Sequence, residues 1–289
     1  MFKPVTGRWG MTVAENKQPY FIEWGARFGP FIKGIPLLFW GFFIGSIVLF
    51  KKMLNKIKKK DSWILTGIYI FFFLGLVFSR YSNSGILNGE NFPSKIFYYG
   101  AFLLLVVSLI YYFIKYHQEK NKGFELIKIE HLFLFSLFIL CLFTARSAVR
   151  LIMVLGPVTP IFFAYLIMEI FEHFRKTKDE TYKVILGVLF ILLVIGGIYI
   201  FWTFFSSVQY QSYNFVPSTY NHQWQKAMEW VRTNTSDDAV FSHWWDYGYW
   251  VQSIGNRATI VDGGNSIVYW NYLVGRHVLT GDDQKTSLD

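Results

Sequence analysis

Cysteine is almost missing from this chain: Cys141 is the single one in 289 residues and lies inside an apolar block, which excludes an internal disulfide. Charge is scarce as well. At 16% charged residues against 53% hydrophobic and 21% aromatic, a soluble globule is excluded, and the apolar residues come in long blocks. The six His are scattered with no metal-ligand spacing and no Ser/His/Asp grouping; His243 alone is no base. No glycine-rich phosphate loop is present, so nucleotide-driven chemistry has no support. Met1 leads into a polar stretch containing Gly and Pro, not a basic and then apolar run, so the chain reads as opening on a loop without a cleavable signal peptide.

What is present is a membrane pattern. The formal charge of +9 could suit a nucleic-acid binder, but the Lys and Arg cluster between apolar blocks, which is a topology signal. A helix crosses a hydrocarbon core of about 30 Å with about 20 residues, each advancing about 1.5 Å. Phe31–Phe50, Ser62–Ser79, Ile96–Ile114 and Val184–Phe205 come close to that length. Leu132–Met168 is about twice too long for one crossing and contains Arg146 and Arg150, so it reads as a tight helical hairpin. The expectation is a polytopic α-helical membrane protein with about six transmembrane helices. Lys51 to Lys60, Lys115 to Lys128 and Arg175 to Lys183 fill the odd-numbered loops, which are then cytoplasmic. Both chain ends, the loop Arg80–Lys95 and the turn near Arg146 fall outside. Arg146 and Arg150, four apart, would share one helix face, where they either snorkel to the interface or meet a phosphate.

Beyond Phe205 the composition changes. Trp224, Ala227, Met228 and Val231 recur at helical spacing as a core stripe. Short strands at Ala239–Phe241 and Thr259–Val261, with a helix over Asp246–Ile254 between them, argue for the start of an α/β domain. The division is 1–30 external loop, 31–205 transmembrane helices, and 206–289 the beginning of an extracytoplasmic α/β domain. After the first strand comes Trp244-Trp245-Asp246-Tyr247-Gly248. Two indoles donate N–H bonds and the carboxylate only accepts, so together they suit a group that does both, such as a hydroxyl. The same residues could also be an aromatic core segment whose Asp serves a backbone amide. Asp262 before Gly263-Gly264 is either a turn residue or a group at the end of a strand where ligands gather, with the turn favoured.

The five residues in that order, continued by Tyr249-Trp250 and Thr259-Ile260-Val261-Asp262, resemble the acceptor-binding motif of the catalytic subunit of oligosaccharyltransferase. That membrane enzyme moves a lipid-linked glycan onto Asn in Asn-x-Ser/Thr. The resemblance implies that Trp244, Trp245 and Asp246, with Tyr247 beside them, bind the Ser/Thr hydroxyl of the acceptor. Thr12-Val13-Ala14-Glu15, with Gln18-Pro19 after it, resembles the family's Thr/Ser-x-x-Glu, which implies that Glu15 is a catalytic residue fixing the metal and the acceptor Asn. Read alone, the same spacing is a helix capping box, although Pro19 would fall in that helix's second turn. Val149-Arg150-Leu151-Ile152-Met153 resembles the segment whose Arg contacts the pyrophosphate of the lipid donor, which implies that role for Arg150.

The implied cofactor is Mn²⁺ or Mg²⁺, ions that favour oxygen ligands, with Glu15 as one of them. The implied partners are a lipid-linked oligosaccharide, an acceptor polypeptide with Asn-x-Ser/Thr and the surrounding membrane lipids, with no nucleic acid. The family's other metal ligands lie in external loops among earlier spans, and this sequence has no spans before Thr12 and stops at Asp289. It is therefore expected to cover half or less of a family member, and to be inactive unless the missing N-terminal and C-terminal parts are supplied. A prokaryotic plasma membrane is the expected location. Two other readings are a different polytopic glycosyltransferase using lipid-linked sugars, and a membrane anion transporter built on the Arg pair.

Overall fold

In hydrocarbon a backbone N–H has no partner but its own chain, so long apolar runs fold as helices wherever proline does not interrupt them. Here proline stands at helix starts, where its missing N–H costs nothing: Pro36 precedes one helix, and Pro93 and Pro160 fall in the first turn of two others. A computed structural model describes residues 16–214, 220–264 and 268–281 of this chain, which divides into two units, Met1–Ser206 and Ser207–Asp289. In the first, helix α1 (Phe21–Arg27) leads into a tight antiparallel hairpin, β1 (Phe31–Ile32) with β2 (Ile35–Pro36). Then come α2 (Leu37–Met53), α3 (Lys59–Phe78), α4 (Phe92–Gln118, with a π-helical turn at Ile96–Gly100) and α5 (Ile129–Ser147). A 3-10 segment (Val149–Leu155), α6 (Thr159–Lys176) and α7 (Glu180–Asn214), whose last residues belong to the second unit, follow.

Four of these, α3, α4, α5 and α7, are long and apolar enough to cross a membrane; a fifth is added if the 3-10 segment and α6, bent by 43°, form one span. Helix α2 has 17 residues, a rise of about 25 Å, which falls short of the bilayer core. The six expected crossings are thus four or five by length and composition among the described residues. The turn of the expected hairpin lies at Ala148, whose backbone is extended (φ −156°, ψ 146°).

Aromatic rings fill the centre of this unit. Phe39, Phe42, Phe73, Phe138 and Phe162 are wholly buried, and Phe138 packs on Phe162 with ring centroids 4.4 Å apart. Helices α2 and α6 approach closely because Gly41 and Gly45, four apart on α2, face Phe163 and the Phe162 carbonyl, where any Cβ would collide. The Tyr69 hydroxyl donates to Ser46 Oγ at 2.9 Å, tying α3 to α2. The lysine-rich ends gather through Lys58 with Glu119 at 2.8 Å, Lys115 with Asp61 at 3.2 Å, and Lys52 with Glu169 and Glu172.

The second unit contains α8 (His222–Asn234), β3 (Val240–Phe241), a 3-10 turn (Trp245–Tyr247), α9 (Gly248–Ser253), β4 (Ala258–Thr259) and α10 (Val268–Leu273), which continues as a π-helical segment to Leu279. Strands β3 and β4 run parallel, Val240 opposite Ala258 and Phe241 opposite Thr259. Each strand is shorter than the sequence suggests, and two strands of two residues do not define an α/β architecture. Met228 and Val231 of the expected stripe are buried with Val251, and Trp224 packs against them.

Candidate acceptor and donor sites

The Trp-Trp-Asp-Tyr-Gly stretch is shaped by its last residue. A Cβ on Gly248 would lie 2.5 Å from Asp262 Cβ and 2.6 Å from Asp262 Cα, so only glycine lets the chain after β4 pass this close. Trp244 is extended (φ −67°, ψ 137°), and the 3-10 turn that follows presents Asp246 to solvent. The ring of Tyr247 rests on Trp224 of α8, centroids 4.7 Å apart, and on Trp250 at 5.8 Å. Trp244 lies against Gly275, whose added Cβ would sit 3.4 Å from the indole. Trp244 and Trp245 are half-buried. Neither indole N–H, nor the Asp246 carboxylate, has a hydrogen-bond partner or ion pair among the described residues. Two donors and one acceptor are thereby left for a ligand.

Asp262 is committed elsewhere. Its Oδ1 accepts from the Gly264 N–H at 2.7 Å and its Oδ2 from Gln252 Nε2 at 2.8 Å, which is the turn role. His243 Nδ1 lies 2.8 Å from the Trp244 carbonyl oxygen, while its Nε2 is buried without a partner. The Ser236 hydroxyl donates to Asp238, and this bond holds that carboxyl below the usual carboxylate range.

Sequence reasoning missed Arg257, which lies in a turn with no pattern around it. Its guanidinium is buried and donates from Nη2 to the carbonyls of Arg232 (2.8 Å) and Thr235 (2.7 Å), and from Nη1 to that of Asn256 (2.8 Å). It closes the end of α8, the helix that backs Tyr247.

In the first unit the expected arginine pair is separated. The extended backbone at Ala148 ends α5, so Arg146 and Arg150 do not share a helix face as their spacing suggests. Arg150 is exposed on the 3-10 segment. Arg146 is 5% exposed, donates from Nε to the Leu76 carbonyl at 2.9 Å and lies 5.2 Å from the Tyr98 ring centre. Its Nη1 is buried without a partner. A cavity of about 810 Å³ opens beside it, with Gln18, Tyr98, Ile139, Phe143, Ser147 and Leu151 in its wall.

Glu15 and the rest of Thr12–Glu15 lie outside the described residues. The segment that follows is pinned: the Lys17 carbonyl accepts from the Val149 N–H at 2.9 Å, Lys17 Nζ pairs with Glu23 at 2.7 Å, and the Gln18 carbonyl accepts from Arg80 Nε at 3.2 Å. No group of three or more His, Cys, Asp or Glu among the described residues could hold a metal ion.

Comparison with known proteins bears on the same stretch. The family described as STT3/PglB/AglB core domain matches residues 236–288, which include the whole motif. The dolichyl-diphosphooligosaccharide–protein glycosyltransferase subunit STT3 of Saccharomyces cerevisiae is 28% identical over 163 residues, 50% of this chain and 22% of that protein. Dolichyl-phosphooligosaccharide-protein glycotransferase 1 of Pyrococcus horikoshii is 28% identical over 169 residues, 57% of this chain and 16% of that protein. The Caenorhabditis elegans subunit stt-3 is 45% identical over 47 residues, 16% of this chain and 6% of that protein. The matched part is thus about a fifth or less of each relative's length. Motif, matched family and relatives agree: residues 236–288 are similar to the STT3/PglB/AglB core domain, and the chain is similar over part of its length to the STT3 and glycotransferase proteins named above.

Proposed function

We propose that this chain serves the transfer of a glycan from a lipid-phosphate or lipid-pyrophosphate donor to the Asn of an Asn-x-Ser/Thr acceptor polypeptide. The observation that carries the reading is the unengaged trio of the second unit: two indole N–H donors and one carboxylate with no partner of their own. An acceptor hydroxyl donates to Asp246 and accepts from Trp244 or Trp245, while Tyr247, held on Trp224, stands beside them. In the reaction a C–N bond forms between the sugar's anomeric carbon and the Asn nitrogen, the C–O bond to the lipid phosphate breaks, and the proton lost by the amide nitrogen balances the charge of the departing phosphate or pyrophosphate. An amide nitrogen is a weak nucleophile because its lone pair is delocalised, so holding the acceptor in register matters more than raw reactivity.

Arg150 is the proposed donor contact, because a guanidinium forms forked, charge-assisted bonds to phosphate and stabilises the charge gathering on the leaving group. Glu15 is proposed as the catalytic carboxylate for the acceptor Asn and as one oxygen ligand of Mn²⁺ or Mg²⁺. Support for its working beside Arg150 comes from the Lys17–Val149 hydrogen bond, which joins the residue two past Glu15 to the residue one before Arg150. The described residues do not complete a metal site, and no step is assigned to one. Six crossings, counting α2 and the bent pair, would set both chain ends on the extracytoplasmic side of a prokaryotic plasma membrane. They would open the second unit as an extracytoplasmic α/β domain.

The test is transfer from lipid-linked oligosaccharide to a fluorescent Asn-x-Thr peptide in the presence of Mn²⁺. It uses membranes carrying this chain joined to the further segments its relatives have. Transfer is expected to fall about 10- to 100-fold in Trp245→Ala and Asp246→Ala, the scale of one or two hydrogen bonds involving a charged group. Unaltered transfer in both variants would end this reading of the motif.

A further inference from the structure

At the lysine-rich end of the first unit, α2, α3, α6 and the start of α7 enclose a second cavity, about 1010 Å³ in volume. Four lysines, Lys51, Lys52, Lys59 and Lys176, line it against two glutamates, Glu169 and Glu172. The glutamates are already taken: Lys52 reaches both, and Lys176 holds Glu172. Lys51 and Lys59 are left without a carboxylate among the described residues, and their like charges repel. Lys51 Nζ is buried with no hydrogen-bond partner and sits 3.8 Å from the ring centre of Trp63; Ser62 Oγ is buried and unpartnered as well. Two ammonium groups and a hydroxyl around one space call for an anionic acceptor, and a cluster of phosphate oxygens fits that demand.

The rest of the cavity decides what carries that phosphate. Ile47, Val48 and Ile57 contribute apolar wall. Ile44 of α2 and Trp63 and Phe71 of α3 are exposed, with Trp63 60% accessible, as side chains facing lipid are. A water-soluble anion would leave this apolar surface unused, whereas a membrane lipid matches both parts. We infer that this cavity is a binding site for the phosphate head group of an anionic phospholipid, with its acyl chains along the exposed apolar faces of α2 and α3. Lys51, Lys59 and Ser62 hold the phosphate, and Trp63 marks the depth of the interface. None of its lining residues is among those proposed for glycan transfer, and the inference does not depend on that reading.

The experiment is native mass spectrometry of the full chain released from vesicles of phosphatidylcholine containing a minor share of phosphatidylglycerol. Retained phosphatidylglycerol should exceed its share in the vesicle. The double variant K51Q/K59Q should lower its retention by about thirtyfold, from the usual contribution of two lysines beside an anionic lipid. K51R/K59R should keep it, and K120Q/K122Q, which removes the same charge from an exposed connection, should leave it unaltered. Inorganic phosphate should not displace the lipid. Retention no better than the vesicle composition, equal loss in K120Q/K122Q, loss in K51R/K59R, or displacement by inorganic phosphate would each overturn the assignment.

Discussion

Replacing Arg257 with alanine should loosen the helix that backs the Trp-Trp-Asp-Tyr-Gly stretch. The Arg257 side chain is 2% exposed and makes four hydrogen bonds: to the carbonyls of Arg232, Thr235 and Asn256, and from Nε to Thr235 Oγ1 at 3.0 Å. Its ion pair with Asp237 at 3.2 Å contributes little, because that carboxylate is 99% exposed. The carbonyls are a different matter. They include the last turn of α8, where backbone oxygens lack partners and carry partial negative charge. Bonds to a charged donor are worth about 1.5–3 kcal/mol each, and because water can reach some of the exposed acceptors the net loss is about 3–5 kcal/mol. Hydrogen exchange over His222–Asn234 reads this directly: protection should fall by about two to four orders of magnitude in R257A. R257K should lie between, since an ammonium lacks the planar fork that spans two carbonyls. Protection in R257A within about twofold of the parent would refute the claim that this side chain closes the helix.

Two further substitutions test packing. Gly248→Ala places a methyl 2.5 Å from Asp262 Cβ and 2.7 Å from the Val261 carbonyl oxygen, largely backbone that cannot step aside. It should cost about 1–3 kcal/mol, seen as a lower midpoint for thermal unfolding of the second unit, and an unchanged midpoint would contradict the close approach. Gly45→Leu drives a side chain into the Phe162 carbonyl of α6; chain extracted in mild detergent should aggregate or unfold at a lower temperature, whereas the parent's behaviour in the variant would contradict the α2–α6 contact.

Much of this could be read from residues, and the remainder has physical reasons for staying hidden. Apolar runs between lysine clusters identify the helices, because a backbone in lipid has few options. They do not give the number of crossings, since α2 stops at 17 residues and the segment after Ala148 winds as a 3-10 turn before α6. The spacing of Arg146 and Arg150 suggests one helix face, yet a single extended residue between them sends one side chain inward and leaves the other exposed. Nothing local to Ala148 announces that break. In the second unit Met228 and Val231 declare their burial through periodicity. Arg257 does not, because what it binds, the end of α8, lies more than twenty residues earlier in the chain. The first short strand is expected in place but one residue too long, and the second is expected one residue too late and one too long, since their pairing extends over only two residues each.

The most direct measurement of the central claim is the affinity of this chain in lipid nanodiscs for two fluorescent peptides, Asn-x-Thr and Asn-x-Ala, with and without Asp246→Ala. Removing a hydroxyl from a site built to pair with it should weaken the parent's binding by about tenfold or more, and the variant should bind both peptides alike. Equal binding of the two peptides by the parent, or a preference for threonine that survives in Asp246→Ala, would contradict the account.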